Sequence, residues 1–361
     1  MRTEDLPVID CPKAPLARGR AHGEALRGTI AGKVERWQAA IGKAYGRPAA
    51  AFLPVFLSVT DFRTAIAARV PDLLEEVRGI AEGAGISKET AYALQLMDEE
   101  WWFGGFDGEG HCSSLAVAPV AGRGTLVGQT MDLPRWHDGA QAVLRLDDGG
   151  SETLVYTSAG LIGLMGVSGH GLGICVNTLA QLAYSPRGLP VSFAMRGALA
   201  QENAAAAADF LSRVPHASGQ TYQIGDRHGI RTLECAAGGV TEIAIAGGLS
   251  LHTNHPLANT RAAPNARLEG SGDSRTRLRS LHTDFSRGPA DIETAKRALA
   301  ARRKGGAVSI VPKGPPRPDT KLGLLRQMTI GAVVYEIGET VSLCVAAGPP
   351  SAEGWRQMAV R

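Results

Sequence analysis

The sequence Gly110-His111-Cys112-Ser113-Ser114 leads directly into the apolar run from Leu115 to Val120, about a third of the way along the chain. The segment before it, residues 103–110, is rich in Gly and Asp, a composition that interrupts helices and strands. A short apolar run bounded by such residues is typical of a buried strand. The pattern therefore puts a thiol at the beginning of a predicted strand. A free cysteine is commonly a buried core residue, but at a strand entrance it can also serve as a nucleophile.

Length and composition limit the classes of protein to which the chain can belong. With 361 residues, 44% of them hydrophobic, it can bury a core large enough for one big domain or two ordinary ones. The first residues lack the apolar segment of a secretory signal, and no run of eighteen apolar residues predicts a membrane span. Five widely spaced cysteines without a CxxC pair favour reduced thiols, and hence a cytoplasmic location, over a disulfide framework or a zinc site.

The basic residues are concentrated late in the chain, although the net charge is only +3. Residues 257–330 hold fifteen Lys and Arg against six Asp and Glu. The simplest interpretation is a solvated basic face. The alternative is a surface for an anionic substrate or a coenzyme tail. Nucleic acid is disfavoured, because base stacking needs aromatic side chains interleaved with the basic ones and this segment lacks them.

The apolar periodicity predicts a mostly helical region over residues 1–111. A first helix covers Leu16–Ala49, where apolar residues recur on one face. Thr60 or Asp61 can cap the next helix, which runs to about Gly79, and Ser87 can cap a third that runs to about Trp102. Further helices are predicted over residues 192–200, 203–213, 274–285 and 291–302.

After Cys112 the pattern changes to strands joined by short Gly- and Asp-rich turns. The predicted pairs cover residues 113–119 with 125–130, 142–146 with 152–157, 163–168 with 173–177, and 221–225 with 230–234. Further strands are predicted over residues 240–245, 248–251, 328–336 and 341–346. Hairpins make antiparallel sheets, and helices inserted between them supply covering layers. We therefore expect an α+β fold of two stacked antiparallel sheets with helices outside, a four-layer αββα sandwich. The Pro- and Gly-rich segments 262–272 and 312–318 are expected to be surface loops, so that residues 1–361 form one domain.

The familiar signatures of hydrolases are absent from the sequence. There is no GxSxG motif and no SxxK motif with a suitable partner. A papain-like Cys-His-Asn arrangement would need His252 or His255 with Asn254. These residues lie together at one strand end, where sequence neighbours point to opposite faces.

An N-terminal nucleophile needs fewer partners. If the bond between His111 and Cys112 is cut, the new α-amino group, with a pKa near ~8, can act as the base for its own thiol. Asp132 would return on the second strand of the first hairpin, beside the start of the first strand. A carboxylate there can hold the amine or the leaving group. The side-chain amide of Asn254 can donate to an oxyanion.

Several segments in one order resemble a known family. They are His111-Cys112-Ser113-Ser114, Gly128-Gln129-Thr130-Met131-Asp132, residues 173–179 and Thr253-Asn254-His255-Pro256, with support from residues 18–24, 226–234, 274–277 and 347–350. The chain resembles the acyl-coenzyme A:6-aminopenicillanic acid acyltransferase family of N-terminal nucleophile hydrolases along nearly its whole length.

The resemblance implies a precursor that cleaves itself before Cys112. The products would be a helical α-subunit of residues 1–111 and a β-subunit of residues 112–361 that begins with the nucleophile. By similarity, Asp132 and Asn254 match the family's catalytic Asp and oxyanion Asn. The family also has a late catalytic or substrate-binding Arg, for which both Arg326 and Arg277 are candidates.

Other polar and aromatic residues have two interpretations each. Asn177 closes a predicted strand and can be structural or face the substrate. Trp101, Trp102 and Trp136 can line an acyl pocket, although core packing is the commoner role of tryptophan. Asp132 could cap a turn and Asn254 could be a turn residue before Pro256, but the resemblance favours function for both.

The expected protein is a self-processing cysteine amidohydrolase or acyltransferase that acts on a small N-acyl amine, N-acyl amino acid or lactam-related compound. Hydrolysis is favoured, because an acyltransferase must also exclude water from the acyl-enzyme. A dipeptidase of the same superfamily, which would need an acidic or amide group to grip a free amine, and an unprocessed binding protein are the alternatives. No metal or organic cofactor is implied, no membrane or nucleic-acid partner is expected, and homo-oligomerisation is left open.

Overall fold

The computed structural model describes residues 1–105, 111–262, 273–312, 314, 321–351 and 353–361. The helices are α1 (Pro15–Ala25), α2 (Arg27–Tyr45), α3 (Ala49–Ser58), α4 (Phe62–Arg69), α5 (Pro71–Ala84), α6 (Lys88–Leu94), α7 (Met97–Gly104), α8 (Val191–Leu199), α9 (Ala204–Arg213), α10 (Ser274–Phe285), α11 (Ile292–Leu299) and α12 (Lys321–Leu325).

The strands are β1 (Val8–Cys11), β2 (Ser113–Val117), β3 (Thr125–Pro134), β4 (Gln141–Asp147), β5 (Glu152–Ser158), β6 (Met165–Ser168), β7 (Gly173–Thr178), β8 (Gln220–Asp226), β9 (Gly229–Ala236), β10 (Gly239–Glu242), β11 (Leu249–His252), β12 (Arg302–Arg303), β13 (Gly306–Ala307), β14 (Gln327–Ile337), β15 (Val341–Ala347) and β16 (Arg356–Val360).

Within the described residues, the strands form two large sheets and a small ribbon of β12 and β13. One sheet has the order β1-β4-β5-β6-β7-β8-β9-β10, and the other has the order β11-β2-β3-β14-β15-β16. The β2–β3 hairpin packs face to face on β7 and β8, so that the two sheets stack at their centres. Helices α8 and α9 cover the outside of the first sheet, and α10 and α11 cover the outside of the second. The predicted four-layer αββα fold is confirmed.

The sequence predicts two long helices that the structure divides into shorter ones. The first breaks at Leu26, where φ −115° and ψ 20° leave the helical region, so α1 and α2 are separate helices. The second ends at Arg69, because the residue before Pro71 is disfavoured in a helical conformation. Asp61 and Ser87 do cap α4 and α6, each accepting from a backbone N–H three residues on.

The edges of the sheets also differ from the prediction. Strand β1 was not expected, and it pairs with β4 in parallel, whereas the other pairings in both large sheets are antiparallel. Strand β16 was also missed, and its exposure alternates along the chain as in an edge strand. Residue 302, the last of the helix predicted over residues 291–302, instead forms the ribbon strand β12 with residue 303. Short edge strands carry little apolar pattern, so the sequence marks them weakly.

Taken singly, none of the described helices is long and apolar enough to cross a membrane. Helices α3 and α4, bent by 63° at their junction, reach that length and composition as a pair.

The helical segment before Cys112 is fixed to the sheets through α5. Glu76 on α5 accepts from both terminal nitrogens of Arg196 on α8, at 2.8 and 3.0 Å, and both side chains are buried. On its other side, α5 crosses α1 so closely that only glycines fit. A Cβ on Gly79 would lie 2.2 Å from the carbonyl oxygen of Leu16, and one on Gly19 would lie 1.9 Å from that of Glu76. This packing positions α6 and α7, which follow α5 in the chain.

We expect Gly79→Ala to destabilise the protein by at least about 2 kcal/mol, because the methyl group collides with backbone that can yield only by separating two helices. The matched control is Gly32→Ala in α2, where the nearest atom is the flexible Arg36 guanidinium at 3.5 Å. There the higher helix propensity of Ala should stabilise by roughly 0.5–1 kcal/mol. Urea unfolding of both variants measures the difference, and equal stabilities would contradict the packing described here.

Candidate functional site

Cys112 lies at the entrance of β2, against the neighbouring strand β3. In their antiparallel register Ser113 pairs with Thr130, so that Asp132 reaches the level of His111. The backbone N–H of Ser113 also donates to Oγ1 of Thr130 at 3.3 Å. The structure thus places Asp132 beside the bond between His111 and Cys112, where the hairpin spacing predicts it.

The guanidinium of Arg277, on α10, organises this end of the sheet. Its side chain is completely buried. Nη1 donates to the carbonyl oxygens of His111 and Cys112, at 3.1 and 2.7 Å, and to Oγ of Ser113 at 2.9 Å. Nε donates to Oδ1 of Asp273 at 3.1 Å, and Oδ2 of Asp273 lies 3.1 Å from Nδ1 of His111. A positive charge therefore lies against the carbonyl oxygen of the predicted cleavage bond.

Asn254 is held between Arg277 and β7. Its Oδ1 accepts from Nη2 of Arg277 at 3.1 Å, and its Nδ2 donates to the carbonyl oxygen of Thr178 at 2.9 Å. Its backbone N–H donates to Oγ of Ser274, the first residue of α10, at 3.0 Å. A primary amide has two N–H donors, and in the described contacts Thr178 takes one of them. The other can serve an oxyanion.

Asn177, on β7, joins the two sheets at the same place. Its Nδ2 donates to the carbonyl oxygens of Thr253, His252 and Cys112, at 3.2, 3.4 and 3.5 Å. Its Oδ1 is buried and has no hydrogen-bond partner within the described part of the chain. Asn177 therefore has a positioning contact with the backbone of the nucleophile and one acceptor still unsatisfied.

Burial sets the protonation of both Cys112 and Asp132. Burial and the carboxylate of Asp132 raise the pKa of the Cys112 thiol to about 12, whereas the backbone amide of Asp132 and the charge of Arg277 lower it. Burial also raises the pKa of Asp132 to about 7, against the opposing effects of a hydrogen bond from Oγ1 of Thr329 and of Arg277. The other oxygen, Oδ2, has no hydrogen-bond partner among the residues described. Asp132 can therefore exchange a proton near neutral pH.

A cavity opens beside Cys112, between strands of both sheets and helices α7 and α8. The cavity has a volume of about 30 Å³, which is too small for an organic substrate. The wall is mostly apolar and carries two carboxyl groups, those of Asp98 and Asp132. The lining residues are Met97, Asp98, Trp101, Cys112, Met131, Asp132, Leu133, Gly163, Leu164, Val176, Thr178, Val191, Ser192, Met195 and Gln220.

Two of the predicted site residues lie elsewhere. Arg326 is exposed and does not line the cavity, so of the two late arginines it is Arg277 that reaches Cys112. Trp136 is buried, but it packs on Trp37 and His137 and does not line the cavity either. Trp101 is the tryptophan that does so. Tertiary packing, which the sequence does not show, separates these candidates.

The histidines of the papain-like alternative are engaged away from the thiol. Nε2 of His252 lies 2.8 Å from Oε1 of Glu234, and Nδ1 of His255 lies 2.7 Å from Oγ of Ser274. Neither lines the cavity with Cys112. Within the described residues, no group of three His, Cys, Asp or Glu side chains is arranged to hold a metal ion.

Sequence reasoning missed three residues of the site. Thr329 donates to Asp132 from β14, and the side chain of Gln129 on β3 bonds both the N–H and the carbonyl of Val176, across the sheet stack. Asp98 lines the cavity from α7. Of the three, only Asp98 could have been suspected from the sequence, because Asp98-Glu99-Glu100 places three acidic residues next to two tryptophans with no Lys or Arg nearby.

The sequence is similar to those of known proteins. The family model described as acyl-coenzyme A:6-aminopenicillanic acid acyl-transferase matches residues 121–300, a range that includes Asp132, Asn177, Asn254 and Arg277. The 40 kDa form of acyl-coenzyme A:6-aminopenicillanic-acid-acyltransferase from Emericella nidulans is 26% identical over 255 residues, which are 70% of each chain.

Two solved structures are similar at low sequence identity. The N-acylethanolamine-hydrolyzing acid amidase ortholog of Caenorhabditis elegans is 15% identical, with a TM-score of 0.43, over 62% of this chain and 92% of that one. Penicillin V acylase from Agrobacterium tumefaciens is 12% identical, with a TM-score of 0.33, over 65% of this chain and 82% of that one.

The raised pKa of Asp132 predicts a pH-dependent cost in stability. Its pKa of about 7 in the folded chain exceeds the value of about 3.9 for an unfolded Asp. Between these values the folded chain binds more protons than the unfolded chain, so this group's contribution to stability is lost as the pH rises through about 7. Asp132→Asn should therefore raise the free energy of unfolding, on the order of 2 kcal/mol at about pH 8 and much less at about pH 5.

Both proteins would carry Cys112→Ala, so that cleavage of the chain does not enter the comparison, and urea unfolding at several pH values gives the two curves. Asp209→Asn, which replaces an exposed carboxylate on α9, is the control. A gap between the Asp132→Asn curve and its parent that does not widen as the pH rises would show that Asp132 is not held in a charge-excluding site.

Proposed function

We propose that this chain, a member of the acyl-coenzyme A:6-aminopenicillanic acid acyl-transferase family, is a self-processing enzyme whose nucleophile is the thiol of Cys112. The family supports acyl transfer or amide hydrolysis as the chemistry. The observation that carries the proposal is the buried guanidinium of Arg277, 3.1 Å from the carbonyl oxygen of His111 and next to the thiol. A catalyst for attack on that carbonyl needs a positive or donor group at this oxygen.

Self-cleavage would begin with the transfer of the thiol proton of Cys112 to Asp132, whose pKa of about 7 makes the carboxylate form available at and above neutral pH. Sγ attacks the carbonyl carbon of His111, and the oxygen that gains negative charge keeps its hydrogen bond from Arg277. The C–N bond then breaks, the nitrogen of Cys112 takes a proton, and a thioester joins His111 to Sγ. Water hydrolyses the thioester, which leaves a carboxylate on His111 and a free amine and thiol on Cys112.

In the mature enzyme the new amine would replace Asp132 as the base for the thiol. An α-amino group has a pKa near ~8, and it is attached to the same residue as the sulfur. The Asp132 carboxylate then holds the ammonium form of this amine. Asn254, oriented by Arg277, supplies its second N–H to the oxyanion of the substrate.

The substrate would be a small-molecule amide. The thiol attacks its carbonyl carbon, the amine leaves with a proton, and the acyl-enzyme thioester passes its acyl group to water or to another amine. The cavity is narrow in the uncut chain, and we expect it to widen beside the sulfur once His111 is no longer bonded to Cys112. Residues 1–111 stay bound as the α fragment, because α7 forms one wall of the cavity and α5 is bonded to α8.

Two other functions remain as alternatives. A dipeptidase-like activity gains from the position of Asp98, because an acidic group in the cavity can bind a free amine. An unprocessed binding protein has no comparable support, since Asp132 and Arg277 lie beside the bond between His111 and Cys112, and Arg277 also orients Asn254.

The proposed function predicts that the purified protein hydrolyses a panel of N-acyl p-nitroanilides through a covalent intermediate. When the reaction is stopped with acid at early times, the mass of the fragment that begins at Cys112 should be increased by that of the acyl group. Cys112→Ala should release no p-nitroaniline and carry no acyl group. Activity that persists in Cys112→Ala would remove the thiol from the mechanism.

Two arginine variants on helix α10, tested in the same assay, distinguish a loss of catalysis from a general loss of stability. Arg277→Met should slow both self-cleavage and anilide hydrolysis by roughly 100-fold or more, as loss of an oxyanion donor does. Arg279→Met changes an exposed arginine two residues away on α10 and should retain both reactions. Equal rates in the two variants would exclude a catalytic role for Arg277.

A further inference from the structure

We propose that Asp98 binds an ammonium group of the substrate, so that the amides accepted by this enzyme carry a free amine. This inference rests on the proposed function, because it assigns a substrate class to the cavity beside Cys112. The starting observation is that the carboxyl group of Asp98 lines that cavity together with Thr178 and Gln220. A carboxyl group in a mostly apolar substrate cavity calls for a positive partner.

The described hydrogen bonds of Asp98 all reach one of its two carboxyl oxygens. Oγ1 of Thr178 and Nε2 of Gln220 both donate to Oδ2, each at 2.7 Å. Thr178 and Gln220 are register partners on β7 and β8, so the sheet itself determines where that oxygen lies. Asp98 keeps 8% of its accessible surface. The described contacts therefore leave Oδ1 for a ligand.

The charge around Asp98 is not balanced within the described part of the chain. Its hydrogen-bond donors there are neutral, and no ion pair reaches it. The neighbouring Glu99 is also buried, and it too is held by neutral donors, the hydroxyl of Ser218 and the backbone N–H of Val191. Two adjacent carboxyl groups without a cation favour the entry of a positive charge, which in turn stabilises the ionised carboxylate.

The ammonium site lies next to the reaction centre. The hydroxyl of Thr178 donates to Asp98, while the carbonyl oxygen of the same residue accepts from Nδ2 of Asn254. Only Thr178 therefore separates Asp98 from the proposed oxyanion donor. A substrate that reaches both groups needs only a short chain between its amide carbonyl and its ammonium group.

The rest of the wall suits such a chain. Trp101, Met131 and Met195 contribute apolar surface to the cavity that Asp98, Asp132 and Cys112 also line. The substrate class is thus a short aliphatic amide with an ammonium group. That group can belong to the acyl part, as in an aminoacyl amide, or to the amine part, as in an N-acyl diamine.

Two matched substrate pairs test the inference and distinguish these sources. For the acyl part, 4-aminobutyryl p-nitroanilide is compared with pentanoyl p-nitroanilide, in which a methyl group replaces the ammonium. For the amine part, N-pentanoyl-1,4-diaminobutane is compared with N-pentylpentanamide. In one of the pairs, the ammonium substrate should have a kcat/KM roughly 30-fold higher or more than its neutral counterpart, the usual range for a buried charge pair.

Substitution of Asp98 then locates the preference. Asp98→Asn should bring the ratio of the two kcat/KM values close to one, and Asp98→Glu, which keeps the charge, should retain a preference. Glu100→Gln is the control, since Glu100 is a buried carboxyl group on the same helix turn that accepts from Nε1 of Trp37. It should keep the wild-type ratio.

The outcomes separate this inference from the proposed function. If the wild-type protein cleaves itself and hydrolyses the amides with equal kcat/KM within each pair, the ammonium site is wrong and the hydrolase stands. A preference that survives Asp98→Asn would also overturn the assignment to Asp98. If the wild type neither cleaves itself nor hydrolyses any of the four amides, the proposed function fails and this inference fails with it.

Discussion

The side chain of Arg277 is a full positive charge with no access to water, and the arrangement of the site depends on how that charge is satisfied. Burial of an isolated cation is prohibitively costly, so its five N–H donors need partners. They find them in Asp273, in the carbonyls of His111 and Cys112, and in Asn254. The same contacts that make the guanidinium tolerable in the interior also fix the bond at which cleavage is proposed, and they orient the amide expected to bind the oxyanion.

The site and the adjoining helix α7 hold buried carboxyl groups at a cost to stability. Burial raises the pKa of Asp132 to about 7, of Glu100 to about 7 and of Glu99 to about 8, so three carboxyl groups resist the charge they would carry in water. Such groups are common where a protein needs proton transfer or ligand charge near neutral pH. Asp132 has its use in the proposed self-cleavage, and Asp98, beside Glu99, has its use in the proposed substrate class.

Local patterns in the sequence predicted the parts of the site that depend on local structure. The turn after β2 fixes the hairpin register, and through it the place of Asp132 beside His111. The choice between Arg277 and Arg326 depends instead on where α10 packs, and the choice between Trp136 and Trp101 depends on how α7 docks. Such choices are made by contacts distant in the chain. The edge strands β1 and β16 were missed for a different reason, since short edges carry little apolar pattern.

The proposed chemistry requires that Cys112 becomes the first residue of a separate chain. The measurement that tests it most directly is the intact mass under denaturing conditions, with N-terminal sequencing, of freshly purified wild-type protein and of Cys112→Ala. We expect two fragments in the wild type, one ending at His111 and one beginning at Cys112, and a single uncut chain in the variant. An uncut wild-type chain, or a cut that the Cys112→Ala variant also makes, would contradict it.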